Sequence, residues 1–448
     1  MGQEGAPTTS EAGHSDFFSE QNSLAEGLAY NILKQREGQS GTDGKSRAEL
    51  FALKLERERS SMLSAEDIKQ ACDIVQEEAT LADENGVEYI DYEGLTRVQD
   101  RCHDLWGSEL DRCFRASTFL KLRGLGGSVP AGSLTEYIKR YVDMRKLHLD
   151  LSTYDREGCG IVALKGLEEY LGHCQLFERQ GMDKKRIQQA NQVAVQKFAF
   201  HHVLRNEQMR VVDLLTSTVM EELQEVRRAM ESATDRRRVA DSGSWFSRQV
   251  IETVLDSFFD LSGPTGGDRV TLQMLLEFEG TKFSELFVRR LFEEHVSSSR
   301  AGEEGVSSSG DKGRTEGTMG LMDFTRFVVA WRDRSSKAAV RYFFSIFDAQ
   351  NHGYLDYVDV RTFFKEIHEL WKGSGQDSQD EPGMCENVVN EIFAMVNPAS
   401  PGRITKDDLF KCGKAVTVIG ILSDMWEFYR HEHGEGEAGL EGEGFVEL

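Results

Sequence analysis

The stretch FDAQNHGYLDYVDVRTFF, residues 347–364, decides the fold prediction. With Asp348 counted as position 1, Gly353 falls at position 6, Leu355 at position 8 and Asp359 at position 12. This is the register of an EF-hand calcium loop, in which oxygen ligands stand at alternate positions and a glycine makes the sharp turn. The stretch therefore predicts a loop built to hold a cation.

The segments on both sides of this loop have the pattern of helices with an apolar inner face. The residues on these faces are Val340, Phe343, Phe344 and Phe347 before the loop, and Val360, Phe363, Phe364, Ile367 and Trp371 after it. A helix, a loop and a second helix with aromatic inner faces form the context that an EF-hand requires. Residues 335–371 are therefore predicted to form one helix–loop–helix unit.

The predicted metal ligands depart from the usual set. They are Asp348, Gln350, His352, Tyr354 through its backbone carbonyl, Asp356 and Asp359. Position 12 usually carries a bidentate Glu, and a neutral imidazole is a poor ligand for calcium. We expect a calcium dissociation constant of about 10⁻⁵ M or weaker, with Mg²⁺ competing. An empty loop that is kept for packing remains the alternative.

Related loops occur elsewhere in the chain, which indicates a repeated unit. In VNPASPGRITKDDLF, residues 396–410, Asn397 takes position 1 and Ile404 position 8. Ala399 and Pro401 remove ligands there, so this loop is expected to be metal-free. Ile404 is expected to form a short bridge to Leu355 and to complete a paired lobe.

Two further pairs are predicted upstream of this lobe. FDLSGPTGGDRVTLQMLL, residues 259–276, begins at Asp260 but carries an insertion, and its last ligand position is Met274. GLMDFTRFVVAW, residues 320–331, resembles the tail of its partner. YDREGCGIVALKGLEEYL, residues 154–171, lacks ligands at its last positions, and residues 200–215 are its candidate mate. The predicted fold is all-α, with serial paired EF-hand-like helix–loop–helix units that are mostly degenerate.

The domain organisation follows from changes in composition. Residues 1–45 are predicted to be disordered, and residues 46–240 to form an N-terminal helical EF-hand-like domain, in which Leu50, Leu53, Ile68, Cys72 and Val75 face the core. Residues 241–432 are predicted to form an EF-hand domain with a flexible insertion at 297–318. Residues 433–448 are predicted to form an acidic tail.

Composition excludes several classes of partner. The chain has 53 basic and 76 acidic residues, a formal net charge of −23, which disfavours nucleic acid and anionic membranes. The seven cysteines form no CxxC pair, and no run of residues is long and apolar enough to span a membrane. We therefore expect reduced thiols and a cytoplasmic or nuclear location. Arginines around residues 227–238 are interpreted as a solvated face rather than a docking patch.

An enzyme is not expected. The chain has no HExxH, no GxxxxGK[ST], no GxSxG and no kinase signature, and it also lacks the GDxHG and GNHE motifs of phosphatase catalytic subunits. The histidine pairs His201–His202 and His431–His433 are interpreted as non-ligands. No catalytic residue or organic cofactor is predicted.

The sequence resembles the B'' regulatory subunits of protein phosphatase 2A, and most closely the gamma-type branch with the Tonneau/FASS proteins. The resemblance covers roughly residues 47–432 and rests on five motifs in family order. They are LSTYDREGCGIVALKGLEEYL (151–171), VQKFAFHHVLRNEQMRVVDLLTSTVMEELQEVR (195–227), SWFSRQVIETVLDSFFDL (244–261), MDFTRFVVAWRDRSSKAAVRYFFSIFDAQNHGYLDYVDV (322–360) and VNEIFAMVNPASPGRITKDDLF (389–410).

The resemblance implies a non-catalytic subunit that binds the phosphatase scaffold and catalytic subunits and directs dephosphorylation. In this branch it also implies links to microtubule arrays, centrosomes or division-plane control. The Asp260 loop, which resembles a good calcium site in relatives, is broken here, so the relatives' calcium dependence does not transfer simply. The alternatives are a stand-alone EF-hand calcium sensor of the cytoskeleton and a metal-free structural adaptor.

Overall fold

The fold is seen in a computed structural model that describes residues 47–84, 86–123, 127–202, 207–231, 243–263, 268–278, 281–296, 317–374 and 383–433. The predicted disordered segment 1–45, nearly all of the insertion 297–318 and the acidic tail beyond residue 433 lie outside the described residues. Most of the arginine-rich segment 227–238 also lies outside them.

The chain divides into two compact units, and each is described by itself. Unit 1 comprises the described residues up to Cys174 together with His202–Glu221, and unit 2 comprises Gln175–His201 and the described residues from Glu222 onward. Neither unit is continuous in the sequence. The predicted domains 46–240 and 241–432 stay a prediction.

Unit 1 consists of helices and five very short strands. Its helices are α1 (Arg47–Ser60), α2 (Ala65–Glu78), α3 (Tyr92–Trp106), α4 (Ala116–Leu122), α5 (Ala131–Ser152), α6 (Leu164–His173) and α9 (Val211–Leu215). Its strands are β1 (Leu81–Ala82), β2 (Glu88–Ile90), β3 (Val129–Pro130), β4 (Ile161–Ala163) and β5 (Gln208–Arg210). Strands β1, β2 and β3 form one antiparallel sheet, and β4 pairs with β5.

Unit 2 is helical, with isolated bridges between loops. Its helices are α7 (Leu176–Arg179), α8 (Lys184–His202, except its last residue), the second part of α10 (Thr218–Glu231), α11 (Arg248–Ser262), α12 (Leu272–Leu276), α13 (Glu285–His295), α14 (Leu321–Arg332), α15 (Lys337–Phe347), α16 (Tyr357–Gly373), α17 (Met384–Val396), α18 (Lys406–Lys411), α19 (Ala415–Ser423) and α20 (Met425–His433). The all-α prediction is confirmed.

The bridges confirm the predicted pairing of loops. Strand β4 in the 154–171 segment pairs with β5 in the 200–215 segment. In unit 2, Val270 bridges to Met319 just before α14, and Leu355 bridges to Ile404. Because each bridge joins the last residues before two helices, every pair is held at the same point of its two loops.

Polar side chains fix where many helices begin. Ser336 accepts from the backbone N–H of Ala339 at the start of α15, and Thr405 accepts from that of Asp408 at the start of α18. Such oxygens satisfy donors that have no partner inside the helix, which stabilises each helix by about 1 kcal/mol. The first residue of each helix is thus set locally by the sequence.

The predicted core faces are largely confirmed, with one correction. All nine apolar residues that flank the 348–359 loop are buried, and Val75 is buried in unit 1. Leu50 and Leu53 were predicted to face the core, but their side chains are 39% and 48% exposed. Helix α1 instead turns Phe51 inward, where its ring contacts Gly158. The face of α1 that carries the partly buried Phe51 therefore packs inward, and α1 is rotated from the predicted orientation.

Two further expectations concern thiols and membranes. All seven cysteines are free thiols in the structure. Among the described residues, no helix is sufficiently long and apolar to cross a membrane.

Candidate metal centre

The 348–359 loop lies between two helices whose inner faces are fully packed. Helix α15 ends at Phe347, and α16 begins at Tyr357. The Phe347 ring meets that of Phe363 edge-on at 5.0 Å, which holds the ends of the two helices together. The helix–loop–helix unit predicted from the sequence is confirmed.

Asp348 organises the first half of the loop. Its side chain is buried, and its Oδ1 and Oδ2 accept from the backbone N–H groups of His352 and Gly353, each at 2.8 Å. Gly353 has φ +81°, a conformation that side-chain-bearing residues rarely adopt. The glycine is therefore required by backbone conformation, since no atom lies within 4 Å of where a Cβ would stand.

Asp356 and Asp359 organise the second half as a capping box. Asp356 Oδ1 accepts from the N–H groups of Val358 at 2.8 Å and Asp359 at 3.0 Å, while Asp359 Oδ2 accepts from Asp356 N–H at 3.1 Å. Burial raises the pKa of Asp359, and the charges of Asp356 and Asp348 raise it further. The loop thus holds negative charge that a bound cation would relieve.

The remaining predicted ligands are more open to solvent. Gln350 and His352 are exposed, and Tyr354 is half-buried. The His352 ring stacks on Tyr354 with centroids 5.5 Å apart, and the guanidinium carbon of Arg403 lies 4.6 Å from the centroid of the Tyr354 ring. The sequence did not indicate Arg403, which comes from the paired loop and brings a positive charge close to the site.

The donor set fits a weak hard-cation site. The hydrogen bonds at Asp348, Asp356 and Asp359 all come from backbone N–H groups, and each of the three carboxylates keeps at least one lone pair beyond these bonds. When bound, Ca²⁺ would be held by these carboxylates, the Gln350 amide oxygen and the Tyr354 carbonyl. The His352 imidazole, also in the predicted set, is a poor ligand for this ion. These ligand assignments stay a prediction.

One substitution tests position 12 directly. Asp359→Glu is expected to tighten calcium binding by about tenfold, because the added methylene lets the carboxylate bind in the bidentate mode usual at this position. The measurement is a calorimetric calcium titration of the full chain beside the wild type. An unchanged or weaker affinity would show that this side chain does not reach the ion.

Helix α13 holds both helices of the loop. Glu366 on α16 accepts from Leu286 N–H at the start of α13, at 2.7 Å. Arg290 on α13 donates to the backbone oxygens of Ser345 and Ile346 at the end of α15, each at 3.3 Å. Contacts to both helices from a third one restrain the angle between them.

In two of the other predicted loops, an aspartate accepts hydrogen bonds from groups of its own loop. Buried Asp155 accepts from the N–H groups of Cys159 and Gly160, which repeats the geometry of Asp348. Asp408 accepts from the Thr405 hydroxyl at 2.6 Å, and this hydrogen bond lowers its pKa. Asp260, predicted to open a loop, lies exposed within α11, which continues to Ser262. That loop therefore starts later than predicted.

Two features of the structure were not predicted from the sequence. Asp83 Oδ1 accepts from Val87 N–H at 2.9 Å in the turn before β2, and β2 pairs with β3 in an antiparallel ladder, as β4 does with β5. The Asn-Gly dipeptide at residues 85–86, followed by Ile90 and Asp91, was the available signal.

The second missed feature is a cluster of Glu391, His431 and Glu432, whose ligand atoms all lie within 4.8 Å of one another. The histidine pair His201–His202 has protein partners as well. His201 Nε2 lies 3.0 Å from Asp333 Oδ2, and His202 Nε2 lies 2.6 Å from Ser217 Oγ.

Comparisons with known proteins agree with the resemblance that the five motifs indicate. The chain is 26% identical over 386 residues to TON2 of Arabidopsis thaliana, a probable B'' regulatory subunit of protein phosphatase 2A, and the match covers 85% of this chain and 77% of the relative. It is also 26% identical over 409 residues to the B'' gamma subunit of Homo sapiens, a match that covers 90% of this chain and 83% of the relative. The chain is a relative of the B'' regulatory subunits of protein phosphatase 2A.

A solved structure has a similar fold. A chain of a solved structure titled as a PP2A PR70 holoenzyme superposes with a TM-score of 0.51 at 16% identity, covering 64% of this chain and 98% of the other. No protein-family model matches the chain. The B'' relatives are named as regulatory subunits and not as catalytic enzymes, in agreement with the expectation that the chain is not an enzyme.

Proposed function

We propose that this chain is a non-catalytic regulatory subunit of protein phosphatase 2A, which binds the scaffold and catalytic subunits and directs dephosphorylation. The observation that carries the proposal is the similarity to B'' subunits over 85–90% of the chain. A match of that extent includes several loop pairs and the segments between them, so a shared EF-hand alone does not account for it.

Binding to the phosphatase core is the direct test. The full chain is expected to bind a reconstituted scaffold–catalytic dimer in calcium, in magnesium and in chelator, as measured by biolayer interferometry. No binding under any of these conditions, together with a calcium-dependent change in the free protein, would reject the proposal and favour the stand-alone calcium sensor. Binding that is equal in all three solutions for wild type and Asp348→Ala would favour the metal-free adaptor role within the complex.

We further propose that the 348–359 loop is a weak calcium site, with Mg²⁺ competing, and that it adjusts local rigidity. Opening of a sensor EF-hand requires its two helices to swing apart. Here Glu366 and Arg290 tie α16 and α15 to the same helix, α13. The bridge between Leu355 and Ile404 adds a restraint at the loop itself. These contacts favour a site that stiffens on binding over one that opens a groove.

The cellular setting is proposed from the gamma-type resemblance. We propose a cytoplasmic protein that associates with microtubule or centrosome components and not with nucleic acid or membranes. Location of the tagged full chain in dividing cells is the test. A diffuse distribution, without enrichment at microtubule arrays or centrosomes, would contradict the proposed cytoskeletal association. It would not bear on the proposed binding to the phosphatase core.

A further inference from the structure

A second group of metal-ligating side chains lies away from the 348–359 loop. Glu391 stands on α17, while His431 and Glu432 stand near the end of α20. The ligand atoms of all three lie within 4.8 Å of one another, and His431 Nε2 is 3.0 Å from Glu391 Oε1. Residues about 40 positions apart thus converge through the packing of two helices.

Within this group, the imidazole of His431 can balance at most one of the two carboxylates. One imidazole faces two carboxylates, so the group carries two negative charges whenever the imidazole is neutral. A divalent cation would neutralise both carboxylates at once.

We propose that Glu391, His431 and Glu432 bind a divalent transition-metal ion of the Zn²⁺ type. The imidazole disfavours Ca²⁺ and Mg²⁺, and carboxylate and imidazole ligands without thiolate suit Zn²⁺ rather than Cu⁺. Three protein ligands also leave a fourth position for water, as in open zinc sites.

The geometry needs only small adjustments. Tetrahedral ligands at about 2.1 Å from Zn²⁺ stand about 3.5 Å from one another. Glu391 and Glu432 are exposed side chains, so rotation about their own bonds can close the remaining distance. A bound ion would join α20 to α17, the helix that precedes the Ile404 loop.

Zinc calorimetry on the full chain tests the proposal. The wild type is expected to show a zinc site that His431→Ala and Glu391→Gln each weaken by at least about tenfold, since loss of even an outer partner weakens metal sites by 10–100-fold. His433→Ala is the matched control, because its ring stacks on Tyr429 at 4.2 Å and it is not part of the cluster. This control is expected to bind zinc like the wild type.

The seven cysteines require a second readout, since thiols also bind zinc. Co²⁺ bound by oxygen and nitrogen ligands lacks the strong near-ultraviolet charge-transfer absorption that thiolate ligands give. The expected spectrum of the wild type lacks this band, and its weak visible absorption is lost in His431→Ala. A thiolate band, or zinc binding that is equal in wild type and His431→Ala, would overturn the proposal. Circular dichroism of each variant shows whether it is folded.

Discussion

Phe287→Ala is expected to lower the free energy of unfolding of unit 2 by about 3–5 kcal/mol, the usual cost of truncating a fully buried phenylalanine. Its side chain is buried on α13, and its ring lies 5.5 Å from that of Phe283 and 6.1 Å from that of Phe347. Because Phe347 is the last residue before the candidate loop, a cavity here also loosens the helix that positions Asp348. The effect is therefore expected on both stability and loop order.

Urea denaturation followed by intrinsic fluorescence measures this loss. Trp245, Trp331, Trp371 and Trp426 all belong to unit 2, so the signal reports mainly on that unit. Phe410→Ala is the matched control, because its side chain is 39% exposed, and its expected cost is about 1 kcal/mol or less. Equal losses for the two variants would contradict the assigned role of the α13 face.

The loop and its flanks could be predicted because they depend on local sequence. Helical spacing of aromatic residues fixes the inner faces of α15 and α16, and Gly353 fixes the sharp turn. The bridge from Leu355 to Ile404 was also foreseen, since both residues hold position 8 of their loops. In each case the information lies within one loop unit or in its repetition.

Other features depend on contacts that a linear pattern does not contain. The rotation of α1 is decided by where Phe51 meets Gly158, more than a hundred positions away. The contacts of α13 with α15 and α16 likewise join distant segments. The contact between His431 and Glu391 also joins two different helices, so only the fold brings these two residues together.

The function, unlike the fold, could not be predicted from the loop register. The loop register indicates what an ion could do at Asp348, but it does not indicate a phosphatase. That inference came from the order of motifs along the chain, and the similarity to B'' subunits supports it. Degenerate loops such as the one at Asp155 keep their backbone geometry without a full ligand set, so the scaffold is retained where cation chemistry is reduced.

Asp348→Ala is expected to destabilise the loop by about 1–3 kcal/mol even in chelator, because the His352 and Gly353 N–H groups lose a charged acceptor. It is also expected to abolish the calcium response, since position 1 supplies a carboxylate ligand. Hydrogen exchange of loop peptides measures the first effect, and calorimetric calcium titration measures the second. The wild-type loop is expected to exchange more slowly in calcium than in chelator.

Asp155→Ala separates the two effects. Asp155 makes the same type of backbone contact, to Cys159 and Gly160, but its loop has Ala163 and Gly166 at positions 9 and 12. This variant is expected to exchange faster in its own loop while its calcium titration matches that of the wild type. If Asp348→Ala keeps the wild-type calcium response, the ion is bound elsewhere, and the aspartate serves the loop backbone alone.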